Sequence, residues 1–128
     1  MIMKKLLYLG IVLILGSCGS STVNVDGREV STIKIGNLEV MTEDLGKMNW
    51  YEAKKACKNL GDGWRLPTKD ELNLLFQNRG KIGGFAYFVY WSSTEFDSFN
   101  AWYQSFIERY QGFNVKNTNF YVRAVRAF

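Results

Sequence analysis

Cys57, the adjacent carboxylates Asp70 and Glu71, and the aromatic run from Phe96 to Phe120 are the side chains of this 128-residue sequence whose types and spacing invite a chemical role. A cysteine becomes a nucleophile when its thiol ionises, which takes a cationic neighbour, a helix N-terminus or a base. Nothing near Cys57 in sequence favours a thiolate, and Cys57 falls on the apolar side of a helical pattern. It is expected to be a small buried hydrophobe. Asp70 and Glu71 open a second helical pattern, where the positive end of the helix dipole favours carboxylates. That position accounts for the pair without acid–base work. The sequence has no histidine, which excludes imidazole bases, imidazole metal ligands and Ser-His or Cys-His nucleophile pairs. No catalytic residue, metal site or cofactor is expected, and the chain is not expected to be an enzyme.

The aromatic run points to binding. Phe96, Phe99, Tyr103, Phe106, Tyr110, Phe113 and Phe120 recur at uneven intervals among Asn, Ser, Asp and Gln. They keep neither the helical period of 3.6 nor the strand period of 2 for long. Residues 85–121 hold 14 of the chain's 20 aromatics, more than a domain of this size easily buries. Rigid aromatic area among small polar residues is the composition of an antibody-like paratope. Phe85, Tyr90, Trp91, Trp102 and Phe106 are assigned to the core, together with Trp64. Phe96, Phe99, Tyr103, Tyr110, Phe113 and Phe120 are expected to lie mostly on one exposed face.

The N-terminal residues set the compartment. Lys4 and Lys5 precede an uncharged apolar stretch from Leu6 to Leu15, then Gly16, Ser17 and Cys18. That stretch is about half the ~20 residues a membrane-spanning helix needs, and it suits a secretory signal. Leu15-Gly16-Ser17-Cys18 resembles a bacterial lipobox. The resemblance implies a signal peptide over 1–17 and Cys18 as a lipidated first residue, facing the outer membrane or cell surface. The mature 111 residues make one domain. Their formal charge falls from +4 to +2 once Lys4 and Lys5 leave, which gives nucleic-acid binding little support. Cys57 then has no cysteine partner other than the lipid site, so a disulfide cannot brace the domain. Residues 18–29, small and polar, are expected to be a tether, with the domain over 30–128.

The elements that must position the aromatics are short. Val30 to Val40 suggests two strands about a Gly36-Asn37 turn. A helix follows, with Asn49 as N-cap, Glu52 completing a capping box, Trp50, Ala53, Ala56, Cys57 and Leu60 inward, and Gly61 after its end. A second helix has Thr68 as N-cap and Glu71 as its box partner, with Leu72, Leu75 and Phe76 inward. Helices are expected to stop at Gly80. The segments around Trp91, "NAWYQSF" and "FYVRAVRAF" suit strands. Two helices between an N-terminal strand pair and a strand-and-loop half make an α+β domain.

"GWRLPT", "YWSSTE" and "VRAVRAF" together resemble the Lcl C-terminal domain family and the related Fibrobacter major paralogous domain family, bacterial exported domains of the C-type lectin-like superfamily. The resemblance spans Thr32 to Phe128. It implies a C-type lectin-like fold with its N- and C-terminal strands paired and an irregular loop region that carries binding. "WRLPT" is also similar to the formylglycine-generating enzyme branch, which needs a reactive cysteine pair late in the domain. Cys57 is single and early, which opposes that activity.

The C-terminal third further resembles the variable region of diversity-generating retroelement targets, where adenines of selected codons are rewritten. From AAC or AAT, such changes reach Phe, Tyr, Ser, Ile, Arg, Thr and Asp but never Trp, Lys, Glu, Gln or Met. Phe96, Asp97, Phe99, Tyr103, Ser105, Ile107, Arg109, Tyr110, Phe113, Thr118 and Phe120 all fall in the reachable set. Asn114 would still stand at a template residue. With it, these residues form the candidate ligand-binding set within 96–120. The ligand would be a protein or a glycan, with the membrane met through the N-terminal lipid and no nucleic acid. The alternative is a glycan adhesin of fixed specificity that uses Arg79, Lys81, Arg109 and Lys116 as a basic patch.

Overall fold

The computed structural model describes residues 20–128, so the expected signal peptide and the expected lipid site at Cys18 lie outside the described residues. Among the described residues, two sheets and three helices make the expected α+β domain. The first sheet contains β1 (Ser20–Val25), β2 (Arg28–Ile35), β3 (Leu38–Met41) and β9 (Val125–Ala127), in that spatial order and antiparallel throughout. The second contains β4 (Gly46–Met48), β5 (Val89–Glu95), β6 (Asn100–Ser105), β7 (Gln111–Val115) and β8 (Phe120–Val122), ordered β4-β8-β5-β6-β7. Its one parallel pairing joins β5 to β8. The helices are α1 (Trp50–Asn59), α2 (Lys69–Gln77) and the single turn α3 (Arg79–Ile82). The β3–β9 pairing joins the two ends of the domain.

The expected tether is largely sheet. Ser20 to Val25 pair with Ile33 to Arg28, and Asp26-Gly27 closes the hairpin with φ of 50° and 80°. Positive φ at both central residues matches the right-handed twist of two strands, and an Asp-Gly pair supplies it at low cost. Val25 is buried and Val23 packs beside it against the core, which fixes the register of an otherwise polar strand. The Gly36-Asn37 hairpin is where the sequence places it, with Gly36 at φ 58°.

Both capping boxes form. The Asn49 side chain accepts from the Glu52 amide while the Glu52 carboxylate accepts from the Asn49 amide, and Thr68 with Glu71 repeats the exchange. Glu71 also accepts two hydrogen bonds from Arg65, at 2.6 and 3.0 Å, which hold its carboxyl below the usual range. Thr68→Ala should cost about 1 kcal/mol, read as a lower urea midpoint at unchanged slope. An unchanged midpoint would remove Thr68 from the cap.

Trp50, Trp64 and Trp91 are buried with Met41, Cys57 and Val122 in one cluster, while Tyr90, Phe106, Leu72, Leu75 and Val40 form the other. Cys57 is fully buried, and burial pushes its thiol up to about 12. Trp102, expected in the core, is only half-buried. It stands one strand from the β7 edge, on the opposite face from Tyr103, whose ring turns toward Trp91 and Phe120.

"FYVRAVRAF" is two strands rather than one. Arg123 and Ala124 form the corner between β8 and β9, which belong to different sheets. The fully buried Arg123 guanidinium enforces the corner. Its Nε donates to Asp44 at 2.9 Å and its Nη1 to the Met41 carbonyl at 2.9 Å and the Gly83 carbonyl at 3.1 Å, while Nη2 lies in ionic contact 2.8 Å from the same Asp44 oxygen. A buried charge survives only when so paired. The helical region likewise runs past Gly80, because the Asn78 carbonyl accepts from the Lys81 and Ile82 amides and α3 seats Ile82 in the core.

Candidate functional site

Two sequence motifs interlock beneath the aromatic surface. The β5 strand bulges between Trp91 and Glu95, where Ser92 to Thr94 leave the ladder. Those three residues take partners elsewhere. The Ser93 amide donates to the Pro67 carbonyl at 2.8 Å, the Lys69 amide donates to the Thr94 hydroxyl at 2.9 Å, and the Trp50 indole donates to the Ser92 carbonyl at 2.8 Å. "WSST" thus fastens "RLPT" and α1 to the central strand, and it sets the start of the β5–β6 hairpin whose tip carries Phe96 and Phe99.

The loops above this frame are internally braced. Asp97 accepts from the Phe99 and Asn100 amides and from the Asn100 side chain, and these bonds depress its carboxyl. Ser105 accepts from the Ile107 and Glu108 amides in the β6–β7 turn. The Asn114 side chain accepts from the Val115 amide and the Thr118 hydroxyl. Lys116 is 4% exposed and bonds Glu95 at 2.6 Å and the Ser98 carbonyl at 3.0 Å, with its ammonium over the Trp50 ring. The Lys116 backbone amide and carbonyl tie to Phe99 and Trp50. Three loops therefore hold their shape through a few polar side chains.

The candidate residues divide among these roles. Phe96 lies flat on Phe113, with centroids 3.7 Å apart and planes 3° apart, and both rings meet the Trp102 ring edge-on. Trp102 and Phe113 are cross-strand partners on one face of the sheet, and the Lys69 ammonium stands 3.6 Å over the Trp102 ring. Phe99, at 73% exposure, projects from the hairpin tip. Ile107, Arg109 and Tyr110 are exposed at the next turn. Tyr103 packs on the other face, between Phe120 and Tyr110, and Phe120 in turn packs on Trp91. Gly112, opposite Tyr103, leaves room for that ring, since a Cβ there would come within 2.7 Å of the phenol oxygen.

Six aromatics on one face is therefore corrected. Neighbours along a strand point to opposite faces, so Trp102 and Tyr103 head two separate patches. Phe96 and Phe113 belong to the first, Tyr103, Tyr110 and Phe120 to the second. Four of the six are exposed, and Tyr103 and Phe120 are half-buried against the core. Ser105 is buried and serves its turn, which removes it from the accessible set. Asp97, Asn114 and Thr118 spend their polar groups on loop geometry.

The basic patch is also redrawn. Lys116 is buried and paired, so it cannot join a surface cluster. Arg79 and Arg109 both line a cleft of about 270 Å³, with Asn73, Phe76, Gln77 and Gln104. An exposed aromatic group of another kind also lies outside the candidate set. Phe88 stacks on Tyr121, Lys47 lies near both rings, and Tyr87 is exposed beside them. The Gly83-Gly84 turn before "FAYF" was the sequence mark of a loop there.

The family model of the Lcl C-terminal domain matches residues 27–126. The chain belongs to the Lcl C-terminal domain family. No curated protein matches the chain. The matched span takes in both interlocked motifs and the Arg123 corner, so the frame of this Lcl C-terminal domain is what the family model covers. The span also starts at Gly27, past β1. Among the described residues, no cluster of three or more His, Cys, Asp or Glu could hold a metal ion.

Proposed function

We propose that this protein is a lipid-anchored, non-enzymatic ligand-binding protein of the bacterial cell envelope, with a C-type lectin-like fold. Its ligand docks on the surface carried by residues 96–120. The observation that carries this reading is the Phe96–Trp102–Phe113 cluster, a stacked aromatic group left at the surface on loops whose backbones are hydrogen-bonded in place. Aromatic anchors on a preorganised backbone dominate the energetics of such interfaces. Monomeric proteins seldom leave contiguous apolar area uncovered without a binding role.

The same surface suits diversification by a retroelement. Phe96, Phe99, Ile107, Arg109, Tyr110 and Phe113 are exposed and are reachable from Asn codons, while Trp91, Gln104 and Lys116 of the same segment are buried and unreachable. Downstream DNA provides the test. An imperfect repeat of the codons for residues 91–128, differing from them only at adenines and lying near a reverse transcriptase gene, is the expected finding. A repeat differing at other bases, or no repeat at all, would leave a domain of fixed specificity.

That second reading has its own observation. The Arg79–Arg109 cleft offers two guanidiniums, which suit an acidic glycan because each can pair bidentately with an anionic group. Lipid attachment at Cys18 completes the proposal and rests on the Leu15-Gly16-Ser17-Cys18 sequence.

A further inference from the structure

The polar segment after the lipid site is too short to be a tether. Ser20 already sits in β1, opposite Ile33. Only Gly19 separates it from Cys18. Two residues span at most about 7 Å whatever course the chain takes. A lipid on Cys18 therefore cannot lie far from the Ser20 end of the four-stranded sheet.

The residues at that end are known from the register. Ile33, Val40 and Val125 share the row of Ser20, and Ile35, Leu38 and Ala127 make the row beyond it, closed by the Gly36-Asn37 turn. Lys34 and Phe128 are exposed there, with the Lys34 ammonium 4.3 Å from the Phe128 ring centroid. The opposite end of β1, at the Asp26-Gly27 turn, lies about 17 Å farther along the strand. That end carries Arg28 paired to Glu43. The sheet thus meets its anchor at the end that presents a cation and an exposed ring.

We propose that the domain lies directly on the bilayer, with the Gly36-Asn37 end of the four-stranded sheet at the headgroups and Lys34 and Phe128 making the contact. This rests on the reading of Cys18 as lipidated. The Lys34 ammonium suits anionic headgroups, because a basic side chain beside a membrane surface is attracted by its negative potential. The Lys34 stem and the Phe128 ring suit the interfacial layer, where amphipathic and aromatic side chains settle. The binding loops are then held in a fixed orientation to the membrane instead of swinging on a flexible leash.

The test compares two proteins purified from bacterial membranes and reconstituted into phosphatidylethanolamine–phosphatidylglycerol vesicles. One has the natural sequence. The other carries twelve Gly/Ser residues inserted between Gly19 and Ser20, a linker with a root-mean-square reach of about 20 Å. Lysine acetylation is followed by mass spectrometry, with exposed Lys58 of α1 as the internal reference. Lys34 should acetylate at least five-fold more slowly in the natural protein than in the extended one, with Lys58 equal in both. The mass of the N-terminal peptide reads the anchor separately. An acylated Cys18 with equal Lys34 rates overturns the orientation and leaves the anchor standing. A Cys18 without acyl chains overturns the anchor, and the orientation with it.

Discussion

Asp44→Ala should destabilise the domain by about 3–5 kcal/mol, the cost of leaving one buried charge without its partner. Arg123 is fully buried, and Asp44 is its only carboxylate neighbour among the described residues. Two backbone carbonyls would remain, from Met41 and Gly83, and neither carries a formal charge. The loss spreads further. The Tyr90 hydroxyl donates to the other Asp44 oxygen at 2.8 Å and accepts from the Ala86 amide at 2.7 Å. Burial first, and Asp44 second, push the Tyr90 phenol well above its ordinary range, so Tyr90 stays a neutral donor. Asp44 therefore joins the β8–β9 corner, the Gly83-Gly84 turn and the aromatic cluster about Phe106. For a domain with the usual ~5–15 kcal/mol of stability, the loss brings unfolding within reach at ordinary temperature.

Removing both partners should do less harm. A buried ion pair exchanged for apolar side chains of similar volume is often close to neutral. The Asp44→Ala/Arg123→Met double variant should recover at least 1 kcal/mol over Asp44→Ala in urea unfolding. If the double variant is the less stable of the two, Arg123 acts mainly through its packing on Phe85, 3.9 Å from the ring, and charge compensation is secondary.

What could be seen in the sequence was local. The two capping boxes need only residues three apart and the start of an apolar stripe, and both form as written. The Gly36-Asn37 hairpin is legible for the same reason. Asp26-Gly27 carries the same kind of signal, but it follows "SSTVNV", whose polarity masks the two valines that pack. Facts about sheet order were not legible. Trp91 and Trp102 look alike in sequence, yet Trp91 is on a central strand covered on both sides, whereas Trp102 sits beside the edge strand with its ring outward. Nor does spacing show that Arg123 and Asp44 meet, since 79 residues separate them. Lys116 misled in the same way, because a lysine on a polar loop is ordinarily solvated, and here the ammonium is folded under the hairpin.

The candidate surface yields the sharpest contrast between folding and binding. The triple replacement of Phe96, Phe99 and Phe113 by Ser should keep the fold and lose the ligand. Phe99 is almost free of the protein, so its removal costs little. Phe96 and Phe113 forfeit one another and an edge-on contact each with Trp102, three ring pairs at an exposed site, where each adds the low end of about 0.5–1.5 kcal/mol beyond its area. A loss of that size lowers Tm by roughly 10 °C or less in a domain of this length. The loop backbone should persist, because Asp97, Asn100, Asn114 and Lys116 hold it without using these rings. Binding should nevertheless fall at least 100-fold, since a few central aromatics ordinarily carry most of an interface's energy. Interferometry against the ligand that the natural protein captures measures this. Tyr103→Ser and Phe120→Ser should show the reverse balance. Both rings pack against the Trp91 cluster, and large-to-small changes at such sites cost several kcal/mol when burial is complete and proportionately less here. Each should lower Tm more than the triple variant does. The second patch then belongs to the frame, and diversification at positions 103 and 120 would be limited to residues that still cover Trp91. A triple variant that binds normally would move the site elsewhere, with the Arg79–Arg109 cleft the next surface to mutate. If instead the triple variant unfolds, the exposed rings hold the loops themselves, and the separation of a polar-braced scaffold from replaceable side chains fails.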